Sequence, residues 1–221
     1  MTKAVPAIPS RSALRRQREK EQRFQTILNA AETLFTEKGY QKTSIIEIAD
    51  LAEVSVGTVY SYFKNKDDLL AQLTESIGLQ IRQLVGRQFQ EAAGGLEGFQ
   101  QAGLSFFENF CIPHPGKVAL LFRETVGQSA EVEACRKKIF GDLLNDVENA
   151  IRTIAQSENK RFAAAMTPEV MAVCIVGIYE RVAYHYLLWK ESKKKSRSKE
   201  ILEVGKIAVR FLMGGVNDLI E

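Results

Sequence analysis

The sequence predicts an all-α protein in which a small N-terminal helix-turn-helix head is joined by one long helix to a larger helical domain, about nine helices in all. Three observations predict this. Apolar residues recur at spacings of three and four through most of the 221 residues, without strand-like alternation. Glycine and proline break these stretches at helix-length intervals, and capping residues stand at the start of several of them.

The elements follow in order. Residues 1–20, with Pro6, Pro9 and two serines, read as a flexible basic arm. Phe24, Ile27, Leu28, Ala31, Leu34 and Phe35 then form one apolar stripe that stops at Gly39, the residue favoured just past a helix end. Ser44 and Glu47 have capping-box spacing and open a second helix whose inner face is Ile45, Ile48, Ala49 and Ala52. Ser55 caps a third, with Val56, Val59 and Phe63 inward. Asn65 caps a fourth that carries Leu69, Leu70, Leu73, Ile77 and Ile81 toward Gly94-Gly95, long enough to leave one unit and enter another. The head therefore spans 21–66 and the larger domain 67–221. Five more helices fit between breaks at Gly94-Gly95, Pro113-His114-Pro115-Gly116, Gly127-Gln128-Ser129, Thr167-Pro168 and the polar run 192–199. Thr167-Pro168 reads as an N-cap followed by proline at the first helical position, and the lysine-rich run as a solvated loop.

Bulk properties narrow the function. The net charge of +3 is mild, so charge distribution is more informative than the total. Cys111, Cys135 and Cys174 are odd in number and lie in apolar helical surroundings, which predicts reduced, buried thiols and a cytoplasmic location. Residues 1–23 are basic and lack the apolar run of a signal peptide. Residues 170–189 approach the length of a membrane span, but Glu180-Arg181 at their middle would cost about 2.5–3.5 kcal/mol per charge in a bilayer, so a buried soluble helix is expected. His114 and His185 are the only histidines, no cysteine stands near either at metal-ligand spacing, and no phosphate loop or nucleophile motif occurs. No enzyme, cofactor or metal site is expected.

Residues 43–70, TSIIEIADLAEVSVGTVYSYFKNKDDLL, carry the functional signal. Two short helices joined by a tight turn cross steeply, so the first braces the second, and the second can lie in a major groove of double-stranded DNA. Its outward face would hold Ser55, Gly57, Thr58, Tyr60 and Ser61: hydroxyls, a tyrosine, and a glycine that permits close approach. This segment resembles the helix-turn-helix of the TetR family of bacterial transcriptional repressors almost position for position, over about residues 20–75. The resemblance implies a dimeric repressor with an effector pocket in its larger domain. It places phosphate contacts at Thr43, Tyr60, Tyr62, Lys64 and Lys66, base contacts at Ser55, Val56, Gly57, Thr58 and Ser61, and includes Ser44 in the interface. Glu53 departs from the pattern. It stands where the family has glycine, in a turn that needs a left-handed backbone, at a cost of about 1–2 kcal/mol.

Four further expectations complete the reading. The basic stretch 11–23 either enters the minor groove, led by Arg15 and Arg16, or merely solubilises the chain. Helices 168–189 and 199–220 are apolar on more than one side, which predicts a homodimer built from these two helices of each copy; Gly205, Gly214 and Gly215 either allow close approach there or, at 214–215, mark fraying. Phe106, Phe107, Phe110, Phe122, Tyr179, Tyr184 and Trp189 read as core or as the lining of a pocket for an unknown small-molecule effector. Arg123, Glu180, Arg181 and His185 lie in otherwise apolar helices and either form a polar network with Glu124 or orient that effector. An activator, or a helical protein controlled by a partner and not by a small molecule, shares these features.

Overall fold

The computed structural model describes residues 10–92, 94–189 and 194–219, and these form nine α-helices with no β-strand among the described residues. Two compact units result, Met1–Leu69 and Leu70–Glu221.

The first unit holds α1 (Arg11–Lys38), α2 (Ile45–Leu51), α3 (Val56–Tyr62) and the first turn of α4 (Lys66–Glu91). Helix α1 corrects the expectation of a flexible arm through residue 20, because it begins at Arg11. Ser10 accepts from the Ala13 N–H at 3.2 Å, Arg15 pairs with Glu19 at 2.8 Å, and the intervening Arg, Gln, Lys and Glu are good helix formers even when fully exposed. Residues 1–9, with Lys3, Pro6 and Pro9, lie outside the described residues. Ile27, Leu28, Ala31 and Phe35 of α1 are buried with Ile48, Val59 and Phe63. Phe63 stacks on Phe24 with ring centroids 5.3 Å apart.

Caps define α2, α3 and α4. In the Ser44 capping box the Ser44 N–H donates to Glu47 Oε2 at 2.8 Å while Ser44 Oγ accepts from the Glu47 N–H. Asn65 Oδ1 accepts from the Asp68 N–H at 2.7 Å, and Asp68 reaches back to the Lys64 N–H at 2.8 Å. After α2 the chain reverses at Glu53, whose φ is 54°. The Val54 N–H reaches Ala49 O at 3.0 Å and the Glu53 N–H reaches Asp50 O at 3.1 Å, a Schellman motif with glutamate at the left-handed position. Replacing Glu53 by glycine is expected to stabilise this unit by up to about 1 kcal/mol, the relieved strain less the extra freedom of an unfolded glycine. Chemical denaturation of the two proteins measures the difference.

The second unit contains the rest of α4, then α5 (Gly95–Ser105), α6 (Pro115–Ala119), α7 (Ala130–Ser157), α8 (Thr167–Tyr184) and α9 (Lys194–Leu219). Helices α5, α6 and α8 each run on into a π-helical turn, at Phe106–Cys111, Leu120–Glu124 and His185–Trp189. Phe99, Ile151, Ile154, Met171, Ile175 and Leu212 belong to its core. Gly205 admits the Phe107 ring, 2.7 Å from where a Cβ would stand, so its close approach lies within the chain. Gly214 and Gly215 are exposed and helical.

Three sequence expectations need correction here. Thr167 is not the N-cap of α8; Met166 holds that position, and Thr167 Oγ1 accepts from the Ala164 N–H at 3.1 Å. The lysine-rich run is not a loop from Lys194 onward, because lysine and glutamate sustain α9; residues 190–193 lie outside the described residues. Helix α8 is not buried all round. Met171, Ala172 and Ile175 face the core, whereas Val170 and Val173 are half exposed and Cys174 is exposed; with Cys135 only half-buried on α7, Cys111 alone has the expected burial.

Candidate nucleic-acid interface and effector cavity

On α3 the periodicity separates two faces. Val59 and Phe63 are buried, while Ser55, Gly57, Tyr60 and Ser61 are exposed and Val56, Thr58 and Tyr62 half-buried. Tyr60 is 54% exposed, an area no apolar core requires. Ser55 Oγ caps α3 through the Thr58 N–H at 3.1 Å, Ser61 donates to Thr58 O at 2.6 Å, and a Cβ on Gly57 would meet only Ser55 Oγ, at 3.8 Å. These contacts hold the small side chains in place and leave space over Gly57 for a base edge.

Not every predicted contact is available. Thr43 is 2% exposed and its hydroxyl donates to Gly39 O at 2.9 Å, so its side chain pins the α1–α2 loop and does not face outward. Lys66 was expected to present its ammonium to a phosphate. Instead Nζ donates to Tyr40 O at 3.1 Å and Thr43 O at 3.0 Å and lies 4.3 Å from the centre of the Tyr40 ring. The Tyr40 hydroxyl in turn donates to Asp67. Tyr62 packs beside Phe24 and Phe63, and Ser44 is engaged in its capping box. Lys64 is exposed on the same unit, as is Lys42, which sequence reasoning missed because no periodic pattern marks a loop residue.

Behind this face Lys38 pairs with Glu47. The Lys38 ammonium, then the Ser44 N–H and hydroxyl, hold the Glu47 carboxyl down at about 2. Because the folded value lies below the ordinary value of about 4.3, the stabilisation is complete above that pH and is lost as pH falls toward 2. Glu47→Gln is expected to flatten the acid dependence of the first unit's melting over that window. Circular dichroism melts of both proteins check it.

The second unit holds a half-open, mainly apolar cavity of about 390 Å³ among α4, α5, α7 and α8, within the range of small-ligand sites. Of the predicted effector residues, Phe106, Phe122, Tyr179 and Glu180 line it. A more open cleft of about 630 Å³ shares Phe122 and Glu180 with the cavity and adds Arg123, Arg136, Arg181 and Tyr184. Phe110 is core, packed beside Phe106 and His114, and His185 lines neither space but meets Tyr186 and Trp189 edge-on. The network alternative is met in one pair, Arg123 with Glu124, and the other groups face different partners. Glu180 faces Arg136 at 3.6 Å, Arg123 bonds Glu124 at 2.9 Å, and Arg181 lies over Trp189 at 4.5 Å. Burial raises the Glu180 carboxyl, with Arg136 opposing.

Sequence reasoning missed Arg82 and Arg136. Arg82 lines the cavity while bonding Asp142 at 3.0 Å and Asp146 at 2.6 Å on α7, partners too distant in sequence for any local signal.

Residues 27–73 match the family model described as bacterial regulatory proteins, tetR family. The regulator HbdR of Aromatoleum sp. (strain CIB) is 40% identical over 70 residues, 32% of this chain and 31% of that protein. The fatty acid metabolism regulator protein of Bacillus subtilis (strain 168) is 37% identical over 68 residues, 30% of this chain and 35% of that one. The chain thus matches about a third of the length of these curated relatives. Solved structures extend the likeness to the whole fold. A Syntrophomonas wolfei protein described as a TetR-family transcriptional regulator is 28% identical, with a TM-score of 0.68 over 86% of this chain and 96% of its own. FadR from Bacillus subtilis, solved in complex with stearoyl-CoA, is 19% identical, with a TM-score of 0.71 over 87% and 98%.

Proposed function

Since the chain belongs to the TetR family of bacterial transcriptional regulators, we propose that it is a cytoplasmic, homodimeric repressor that binds a palindromic operator and is released by a small, largely apolar effector. The observation that carries the reading is the face of α3, where Ser55, Gly57, Tyr60 and Ser61 stand exposed on a helix whose other side is anchored by Val59 and Phe63. Tyr60, Lys64 and Lys42 take phosphates in this scheme, and Ser55, Val56, Gly57, Thr58 and Ser61 approach bases. The basic side of α1 over residues 11–23 supplies further phosphate contacts.

A second copy covers the apolar surface of α8 and α9. Val170 and Val173 on α8, with Ile207 at 63% and Phe211 at 71% exposure on α9, form a surface that a lone soluble chain has no reason to leave in water. A palindromic operator would take two recognition helices in successive major grooves, about 34 Å apart, which a two-fold pair of chains can supply. Release is supported by the continuity of α4, whose first residue is Lys66 and whose later residues Ile81, Val85 and Phe89 line the cavity. The FadR neighbour's stearoyl-CoA makes acyl chains the first effector class to test. Effector and operator then oppose each other reciprocally, by about 1–3 kcal/mol.

Binding to generic duplex DNA tests the reading. Each phosphate neutralised contributes a slope of about −0.9 in log K against log salt, so a dimer contacting roughly six to ten phosphates loses about a thousandfold or more between 50 and 200 mM salt. A flat dependence would refute it.

A further inference from the structure

The exposed part of the cavity wall belongs to two helices only. Of the described residues that line it, Gln90 on α4 and Asp146, Asn149 and Thr153 on α7 are exposed, while all those from α5 and α8 are buried or half-buried. The cavity therefore opens along the line where α4 faces α7.

That line is fastened at one end. Cys135 Sγ donates to Ala71 O at 3.2 Å, Lys138 pairs with Glu75, and Gly78 admits Ile139, whose Cγ2 lies 2.6 Å from where a Cβ would stand. Arg82 ends the run. Its Nε and Nη2 donate to the two carboxylate oxygens of Asp146 at 2.6 and 3.1 Å, and its Nη1 to Asp142 at 3.0 Å. The contacts climb both helices together, from 71 through 75 and 78 to 82 on α4 and from 135 to 146 on α7, one stripe of each. Beyond Arg82 no hydrogen bond or ion pair joins α4 to α7 among the described residues. Continuing the same register sets Gly86 opposite Asn149 and Gln90 opposite Thr153. A Cβ on Gly86 would meet nothing within 4 Å, whereas Val85 and Phe89 on the same turns line the cavity.

We infer that the effector enters and leaves sideways between α4 and α7, through a slit that is widest at Gly86 and closed at one end by the clamp of Arg82 on Asp142 and Asp146. The charge-assisted, two-pronged geometry makes this clamp the strongest contact between the two helices, so it governs how readily the slit widens. The inference rests on the cavity being the effector site and adds how that site exchanges its occupant.

Stopped-flow fluorescence of the full chain with aminoanthracene, a neutral probe that brightens in apolar surroundings, tests it. A barrier on a route is crossed in both directions, so obstructing the route slows association and dissociation together and spares the equilibrium affinity. Gly86→Trp and, on the exposed opposite lip, Thr153→Trp are each expected to slow both rates about tenfold. Gly86→Ala, which adds a good helix former and no bulk across the slit, should keep the wild-type rates. Arg82→Gln is expected to speed both rates by about threefold to tenfold. Val126→Trp, at the neighbouring cleft, should change neither. Unchanged rates in both lip variants, slower exchange in Arg82→Gln, or slowing confined to Val126→Trp overturns the inference. Probe uptake at rates indifferent to the lips removes the route alone, whereas no uptake by the wild-type chain removes the cavity as a binding site and the route with it.

Discussion

Phe63→Ala is expected to unfold the first unit and abolish DNA binding. Phe63 is 1% exposed at the end of α3, stacked on Phe24 and adjacent to Tyr62. Truncating a buried phenylalanine costs about 3–5 kcal/mol, and a unit of this size has little more than that to lose. The second unit has its own core around Ile151, Ile154 and Met171, so its melting transition is expected to persist. Calorimetry should show one transition lost and one retained. Two unchanged transitions would mean that the Phe24–Phe63 stack does not hold the recognition helix in place.

The second large effect is expected from Phe211→Asp. Phe211 is 71% exposed in the single chain, so the substitution leaves its fold and melting nearly unchanged. In the proposed dimer the same side chain is buried twice, once from each copy. Losing about 3 kcal/mol per copy, from apolar burial and the desolvated charge, weakens association by roughly ten-thousandfold. Sedimentation should then give a particle near the chain mass of 24.8 kDa and not twice that, with operator affinity lost in parallel. A variant that still sediments at twice the chain mass assigns the subunit contact elsewhere.

Much of the head was legible because capping chemistry is local. Ser44, Ser55 and Asn65 each satisfy backbone N–H groups within three residues, so their helix starts can be read directly from the chain. The left-handed turn at Glu53 was legible only through the family resemblance, which has glycine at that position. Errors arose where one residue type serves two purposes. Arginine and lysine suggested an arm at 11–20 and a loop at 194–199, yet both stretches are helical, because the residues that favour solvent also favour helices. The polar side of the candidate effector pocket was less accessible. Arg82 meets Asp142 and Asp146, and Arg136 meets Glu180, through packing of separate helices, and no spacing rule along one chain reports such pairs.

The engagement of Lys66 and Thr43 with the α1–α2 loop bears on how mutants of this protein will be interpreted. In a colony screen for loss of the proposed repression, alanine at either position will score beside alanine at Tyr60, since a loosened loop and the loss of the proposed phosphate partner give the same phenotype. A thermal melt run on each purified mutant separates them: Lys66→Ala and Thr43→Ala lower the transition, whereas Tyr60→Ala leaves it in place. Mutational footprints of the proposed DNA-binding surface should therefore be drawn only from positions whose loss spares the melt.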